Sequence, residues 1–353
     1  MPRNDVAKNH LRELAARKSV AYELLVHLEQ LSPSVDADCF KNLSELVDRV
    51  VFHEVRVPAE VTRRFEDMAR SNTSELGQLL DVWQQTFKKA EPSRAGMRLV
   101  LANYADWLTE VSASARPAFL EALPRMAQRI HELGLDGMRT IILALNACTS
   151  STDCGIVAKG IAAYGRTSGS ILLAVARIAR DAAAFDATTK LETVIGAVPP
   201  DTVLDAKDSR NLLPATARVS KHCANLGKTA WLRGIDLCLA LATRSHSSAC
   251  VVAEKLPTLL TELSPGADAA YMDAFSRLVE TIGVSIVGFG ITKMPRVFRD
   301  LGAPQAMQFV DVGIYVAEKY GRKAGKSFFD ERTSASRSHL SHLSAHRLRK
   351  PVG

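Results

Sequence analysis

Phe119-Leu-Glu-Ala-Leu-Pro-Arg-Met-Ala-Gln-Arg-Ile-His-Glu-Leu133 reads as the end of one helix, a proline step and the start of the next. The unit recurs as Val252-Ala-Glu-Lys-Leu-Pro-Thr-Leu-Leu-Thr-Glu-Leu263 and as Gly290-Ile-Thr-Lys-Met-Pro-Arg-Val-Phe-Arg-Asp-Leu301. Each copy places Leu or Met before a proline (Pro124, Pro257, Pro295), then apolar residues at helical spacing, and closes on Leu. Proline is favoured at the first position of a helix, where its missing N–H would be unpaired anyway. Repeated punctuation of this kind marks stacked helical hairpins.

The spacing supports a period. Pro295 lies 38 residues after Pro257, and Pro200, behind Pro199, lies 76 after Pro124, twice that interval. The step from Pro200 to Pro257 is 57, half a unit out of phase. The expected fold is therefore all-α, a HEAT-like solenoid of helical hairpins, with a two-lobed helical bundle as the alternative.

Composition agrees. The chain of 353 residues is 47% hydrophobic and only 6% aromatic, and small or straight apolar side chains favour helices that pack closely. Period-two runs of β-branched residues are scarce, so sheet is not expected.

Helical stripes are read over residues 4–31, 36–51, 75–89, 94–112, 136–148, 152–164, 170–184, 228–244, 247–263 and 305–320. Ser71-Asn-Thr-Ser74 offers an N-cap to the helix over 75–89. Three segments follow: an N-terminal helical region, 1–92; a more regular repeat region, 93–330; and a basic Ser/His/Arg-rich tail, 331–353. Trp83, Trp107 and Trp231 fall among apolar residues and are expected in the core.

Charge is concentrated at the end. Lys319, Arg322, Lys323, Lys326, Arg332, Arg337, Arg347, Arg349 and Lys350 stand against Asp330 and Glu331, an excess of seven equal to the whole net charge of +7. The body is near neutral, which argues against an extended nucleic-acid track along it. These nine cations are the candidate partner-binding residues. Leu340, Leu343 and Leu348 add a narrow apolar stripe to the tail, too thin to bury alone.

Chemical motifs are incomplete. Gly227-Lys228-Thr229 and Gly325-Lys326-Ser327 end like phosphate loops, but the leading glycine is replaced by His222 and Tyr320 and no strand precedes either. Gly288-Phe-Gly290 lacks the third glycine of a dinucleotide fingerprint, and Gly165-Arg-Thr-Ser-Gly169 reads as a turn. His339, His342 and His346 share a helical face without Cys or carboxylate neighbours, so no metal site is read there. Cys39, Cys148, Cys154, Cys223, Cys238 and Cys250 form no Cys-x-x-Cys and sit in apolar helical patterns, consistent with free thiols in a reducing compartment, cytoplasmic or another intracellular one. Asp5, Glu13 and Glu23 interrupt any apolar run at the start, so a signal peptide is not expected. The longest apolar run, Ile282 to Ile291, is far short of the ~20 residues a membrane helix needs. With no catalytic motif intact, the expectation is a non-enzymatic scaffold or adaptor without cofactors, binding protein partners in a larger assembly. The alternative is an RNA-associated helical protein using its basic tail.

The Leu-Pro units resemble helical repeats of bacterial proteins that carry a von Willebrand factor A domain, of the nitric-oxide-reductase activation and rubisco-activation adaptor type. Phe119 to Met126, Trp231 to Leu260 and Tyr315 to Ser336 carry the resemblance, the last with Phe328-Phe329 before Ser334-Ala-Ser336. It implies an adaptor working with a MoxR-type AAA+ ATPase. The Asp-x-Ser-x-Ser of the A domain is absent, so no site residue carries over.

Overall fold

Apolar residues at three- and four-residue spacing fold into helices throughout residues 37–53, 67, 75–201 and 207–333, which the computed structural model describes. No strand occurs among them. The long N-terminal stripe at 4–31, the Ser71–Ser74 cluster and the tail beyond Thr333 lie outside the described residues.

The chain forms two compact units, Met1–Glu192 and Thr193–Gly353. The first contains α1 (Ala37–Phe52), α2 (Leu76–Ala90), α3 (Arg94–Glu110), α4 (Arg116–Met126), α5 (Ile130–Asn146), α6 (Ser151–Ala163) and α7 (Gly169–Ala184). The division falls inside α8 (Thr189–Ala197). The second unit continues with α9 (Lys207–Leu226), α10 (Lys228–Ala242), α11 (His246–Thr261), α12 (Asp268–Ile282), α13 (Val287–Thr292), α14 (Met294–Leu301), α15 (Ala303–Tyr320) and α16 (Arg322–Arg332).

In each unit, helices pack on the helix two places along as well as on their neighbours in sequence. In the first, α2 lies on α4 and α4 on α6, while α3 lies on α5 and α5 on α7. In the second, α9 lies on α11 and α11 on α13, while α10 lies on α12. The apolar stripes meet between these rows. Trp83 stacks on Tyr104 with centroids 5.4 Å apart, and the buried Tyr104 hydroxyl donates to the Leu79 carbonyl. Trp231 is fully buried and donates through Nε1 to Ser220 Oγ at 2.8 Å. Tyr271 meets Phe275 and Phe298 edge-on and donates to the Gly290 carbonyl at 2.8 Å.

Loops of the first unit are tied to loops about one hairpin away. Asn146 Nδ2 donates to Glu110 O, and its Oδ1 accepts from Ser112 N, both at 2.8 Å. Ser150 Oγ caps α6 by accepting from Asp153 N, and the Asp153 carboxylate accepts from the Ser150 hydroxyl and from Thr188 of the α7–α8 loop. Near the opposite helix ends, Arg129 reaches Arg166 O at 3.1 Å and Glu132 accepts from Gly169 N.

Two of the three Leu-Pro units are not helix starts. Pro295 does open α14, but Pro124 sits inside α4 and Pro257 inside α11. Both lie in or near a last turn, so the i→i−4 bond each gives up falls close to the helix end: α4 passes into a 3₁₀ turn at Ala127–Arg129 two residues after its proline.

The sharper punctuation is glycine. Gly227 (φ 104°, ψ 174°) alone joins α9 to α10, and Gly302 (φ 73°, ψ 161°) alone joins α14 to α15. Gly134, Gly283 and Gly321 have the same backbone, each following Leu, Ile or Tyr. This region is essentially closed to residues with a Cβ. At Gly227 and Gly302 a Cβ would meet nothing within 4 Å, so the dihedral alone excludes other residues.

Gly302→Ala should therefore cost ~1–3 kcal/mol in urea denaturation. Gly155→Ala, in the middle of α6 with equally open space around it, should be neutral or stabilise by ~0.5–1 kcal/mol. Equal effects would contradict the dihedral argument.

The loop ties carry a pH signature. Partial burial pushes the Glu132 carboxyl up, but the Gly169 N–H and Arg129 outweigh it and leave the pKa below its usual value. Hydrogen bonds from Ser150 and Thr188 lower that of Asp153. A depressed folded pKa contributes stability above the unfolded value, and that stability disappears as pH falls through the folded value. Glu132→Gln should cost ~1 kcal/mol at neutral pH, and thermal melts should show the gap closing below about pH 4.

Candidate functional site

The α15–α16 pair brings the exposed cations together. Gly325 and Phe329 are buried on the inner side of α16. A Cβ on Gly313 would lie 2.0 Å from the Phe329 ring, and one on Gly325 would lie 2.4 Å from Ala317 Cβ, so the two helices touch almost backbone to backbone. Phe329 also packs against Phe289 and Phe309. With this side committed to the core, Arg322, Lys323 and Lys326 face outward and are exposed.

On α15, Tyr315 and Lys319 are four residues apart and share a face. Lys319 Nζ lies 5.5 Å from the Tyr315 centroid and 5.4 Å from that of Tyr320, and donates to the Tyr315 hydroxyl at 3.2 Å. The hydrogen bonds with Tyr315 and Tyr320 raise the Lys319 pKa, keeping the ammonium charged. Tyr315 is 51% and Tyr320 65% exposed, although large aromatics are usually covered. From Lys319 to Lys326 there are four cations and no carboxylate. Glu318 borders the patch, and Asp330 and Glu331 lie toward the far end of α16. Asp311 is held by Arg277 at 2.7 Å.

Of the nine sequence-predicted residues, Lys319, Arg322, Lys323 and Lys326 thus gather at one junction. Arg332 is at the opposite end of α16, about 15 Å along the axis. Arg337, Arg347, Arg349 and Lys350 lie outside the described residues, as do His339, His342 and His346. The sequence reading missed Tyr315 and Tyr320. Their signal was the aromatic–basic alternation of Tyr315, Lys319, Tyr320, Arg322 and Lys323.

Two open hollows lie elsewhere. One of about 540 Å³, in the second unit, is lined by Arg233, Asp236, Asp273, Arg277 and Glu280 with the end of α8. Its arginines are engaged between helices, Arg233 with Asp273 at 3.0 Å and Arg277 with Asp311, making rungs between α10, α12 and α15. The other, about 620 Å³ in the first unit, is lined by Gln85, Lys88, Lys89, Glu91, Pro92 and Gln128, with Glu91 ion-paired to Arg49.

The phosphate-loop look-alikes take other parts. Gly227 is the α9–α10 link, and Gly325 is a packing position inside α16. Gly290 is buried against Phe275, and Gly165–Gly169 is the turn into α7. Trp83, Trp107 and Trp231 are buried. Among the described residues no group of His, Cys, Asp and Glu is placed to hold a metal, and no helix is long and apolar enough to cross a membrane.

Compared with known proteins, the chain matches no family model, no curated protein and no solved structure.

Cys148, Cys154, Cys223, Cys238 and Cys250 are in no disulfide, and burial pushes the thiols of Cys148, Cys223 and Cys238 up to about 12. Thiolate is then scarce at neutral pH. A disulfide-exchange reagent should titrate the buried Cys154, Cys223, Cys238 and Cys250 only after denaturation, and reductant should leave the thermal midpoint unchanged. Rapid reaction of Cys223 or Cys238 in the native chain would contradict this burial.

Proposed function

We propose that the protein is a non-enzymatic helical scaffold that acts by docking a partner macromolecule at its C-terminal helix pair. The observation that carries this reading is the α15–α16 junction, where two exposed tyrosines bracket Lys319 beside Arg322, Lys323 and Lys326. Exposed aromatic and cationic side chains on a rigid helix pair are what interfaces use as anchors. The hollows elsewhere are wide, and the arginines of the one lined by Arg233 and Arg277 are occupied in structural ion pairs.

In this proposal the two rows of helices are successive turns of a HEAT-like array. The ties from Arg129 to Arg166, Glu132 to Gly169 and Thr149 to Asp186 each span 37 residues, close to but just short of the roughly 40–47 of HEAT repeats. An array of that kind holds a docking end at a fixed place in an assembly. The resemblance of the Leu-Pro units to adaptor repeats names one candidate protein partner, a MoxR-type AAA+ ATPase.

The test is affinity capture from cell extract with the full chain and with Lys323→Glu/Lys326→Glu. Both positions are exposed, so the melting curve should not move. The proposal expects a stoichiometric partner on the wild type and its loss from the double variant. Equal retention by both would refute the C-terminal docking end.

A further inference from the structure

We infer that the α15–α16 junction binds single-stranded nucleic acid, with Tyr315 and Tyr320 as stacking faces for unpaired bases and Lys319, Arg322, Lys323 and Lys326 as phosphate contacts. The inference rests on the docking reading above and specifies its partner.

Charge alone fits any polyanion, because four cations within eight residues and no intervening carboxylate would hold an acidic peptide as well as a phosphate backbone. The tyrosines decide between them. More than half of each side chain is open to solvent. Both rings sit within 6 Å of one ammonium, on a helix end fixed by the Gly313–Phe329 and Gly325–Ala317 contacts. A carboxylate has no use for a ring face, whereas every base has a π-face to lay on one. The combination of stacking platforms with adjoining cations that track the backbone is the general solution for single strands.

The same argument selects unpaired bases over a duplex, whose base faces are already stacked on each other. It also disfavours an anionic bilayer. Tyrosine does settle at bilayer interfaces, but membrane-surface helices rely on a wide apolar face. On α16 the apolar residues Phe329 and Gly325 are buried against the protein, not offered outward. The near-neutral body supports a short footprint at one end rather than a track along the rows. Stacking is tolerant of sequence, so modest base preference is expected.

The experiment is fluorescence anisotropy of a labelled oligouridylate with the full chain across a salt series. Four phosphate contacts on a single strand predict a log–log salt slope of about −3, and Lys323→Gln/Lys326→Gln should reduce its magnitude by about 1. Tyr315→Ala and Tyr320→Ala should each weaken binding about 5- to 100-fold, while the corresponding Tyr→Phe changes stay within about twofold. Circular dichroism of each variant should match the wild type, since all four positions are exposed.

Unchanged affinity in both Tyr→Ala variants would overturn the inference, because binding would then be charge alone. So would equal affinity for duplex RNA, or preferential binding to polyglutamate or to phosphatidylserine vesicles. Charge-dependent binding of polyglutamate without oligouridylate binding would leave the docking reading standing and remove only its nucleic-acid identity. Failure of every polyanion would overturn the nucleic-acid inference, while the docking reading stands or falls on the capture experiment.

Discussion

Close approach between helices, permitted by glycine, is the contact on which the rest of the structure depends. Gly234 of α10 faces Cys223 and Val219 of α9 and Met272 of α12, all within 3.3 Å of where its Cβ would be. Gly290 accepts the Phe275 ring, Gly313 the Phe329 ring, and Gly165 the Arg125 carbonyl in the same way. A single amphipathic helix buries one stripe and gains little alone. Helices that lie on the neighbour two places along, as α7 does on α5 and α11 on α9, bury stripes on two sides and generate a continuous core within each unit. Polar ties such as Asn146 to Glu110 and Arg277 to Asp311 then set register. They are exposed and contribute modestly.

Helix identity was legible because it depends on local periodicity. The stripes read over 75–89, 94–112, 170–184 and 305–320 appear as Leu76–Ala90, Arg94–Glu110, Gly169–Ala184 and Ala303–Tyr320. Where helices end was less legible. Leu-Pro looks like a boundary, but Pro124 and Pro257 are absorbed in the closing turns of helices already held by tertiary packing. Leu-Gly and Ile-Gly are the real boundaries at residues 226–227, 282–283 and 301–302. A lone glycine in a helical pattern does not reveal its φ from sequence, and Gly155 or Gly234 inside a helix looks the same.

The candidate site divided along similar lines. Its cations could be found by counting charge, because Lys and Arg are exposed almost everywhere. Its tyrosines were masked, despite the basic residues interleaved with them, because aromatics in a helical stripe are ordinarily core, as Trp231 and Tyr271 are. Phe309, Phe328 and Phe329 cluster between the two helices of the same pair, and Tyr315 and Tyr320 lie outside that cluster, exposed. Residues 322–332, whose composition resembles a loose tail, are a packed helix anchored by Phe329.

Hydrogen exchange of the full chain carrying Gly234→Leu tests most directly the claim that glycine-mediated stacking holds each unit together. The added side chain cannot fit against Cys223 Sγ, 2.8 Å from the Cβ position. In a stack with nearest-neighbour energetics, protection falls in α9, α10, α11 and α12, while α3, α5 and α7 of the first unit keep theirs. A uniform fall across both units, or no loss of protection in α9 and α12, would contradict this account.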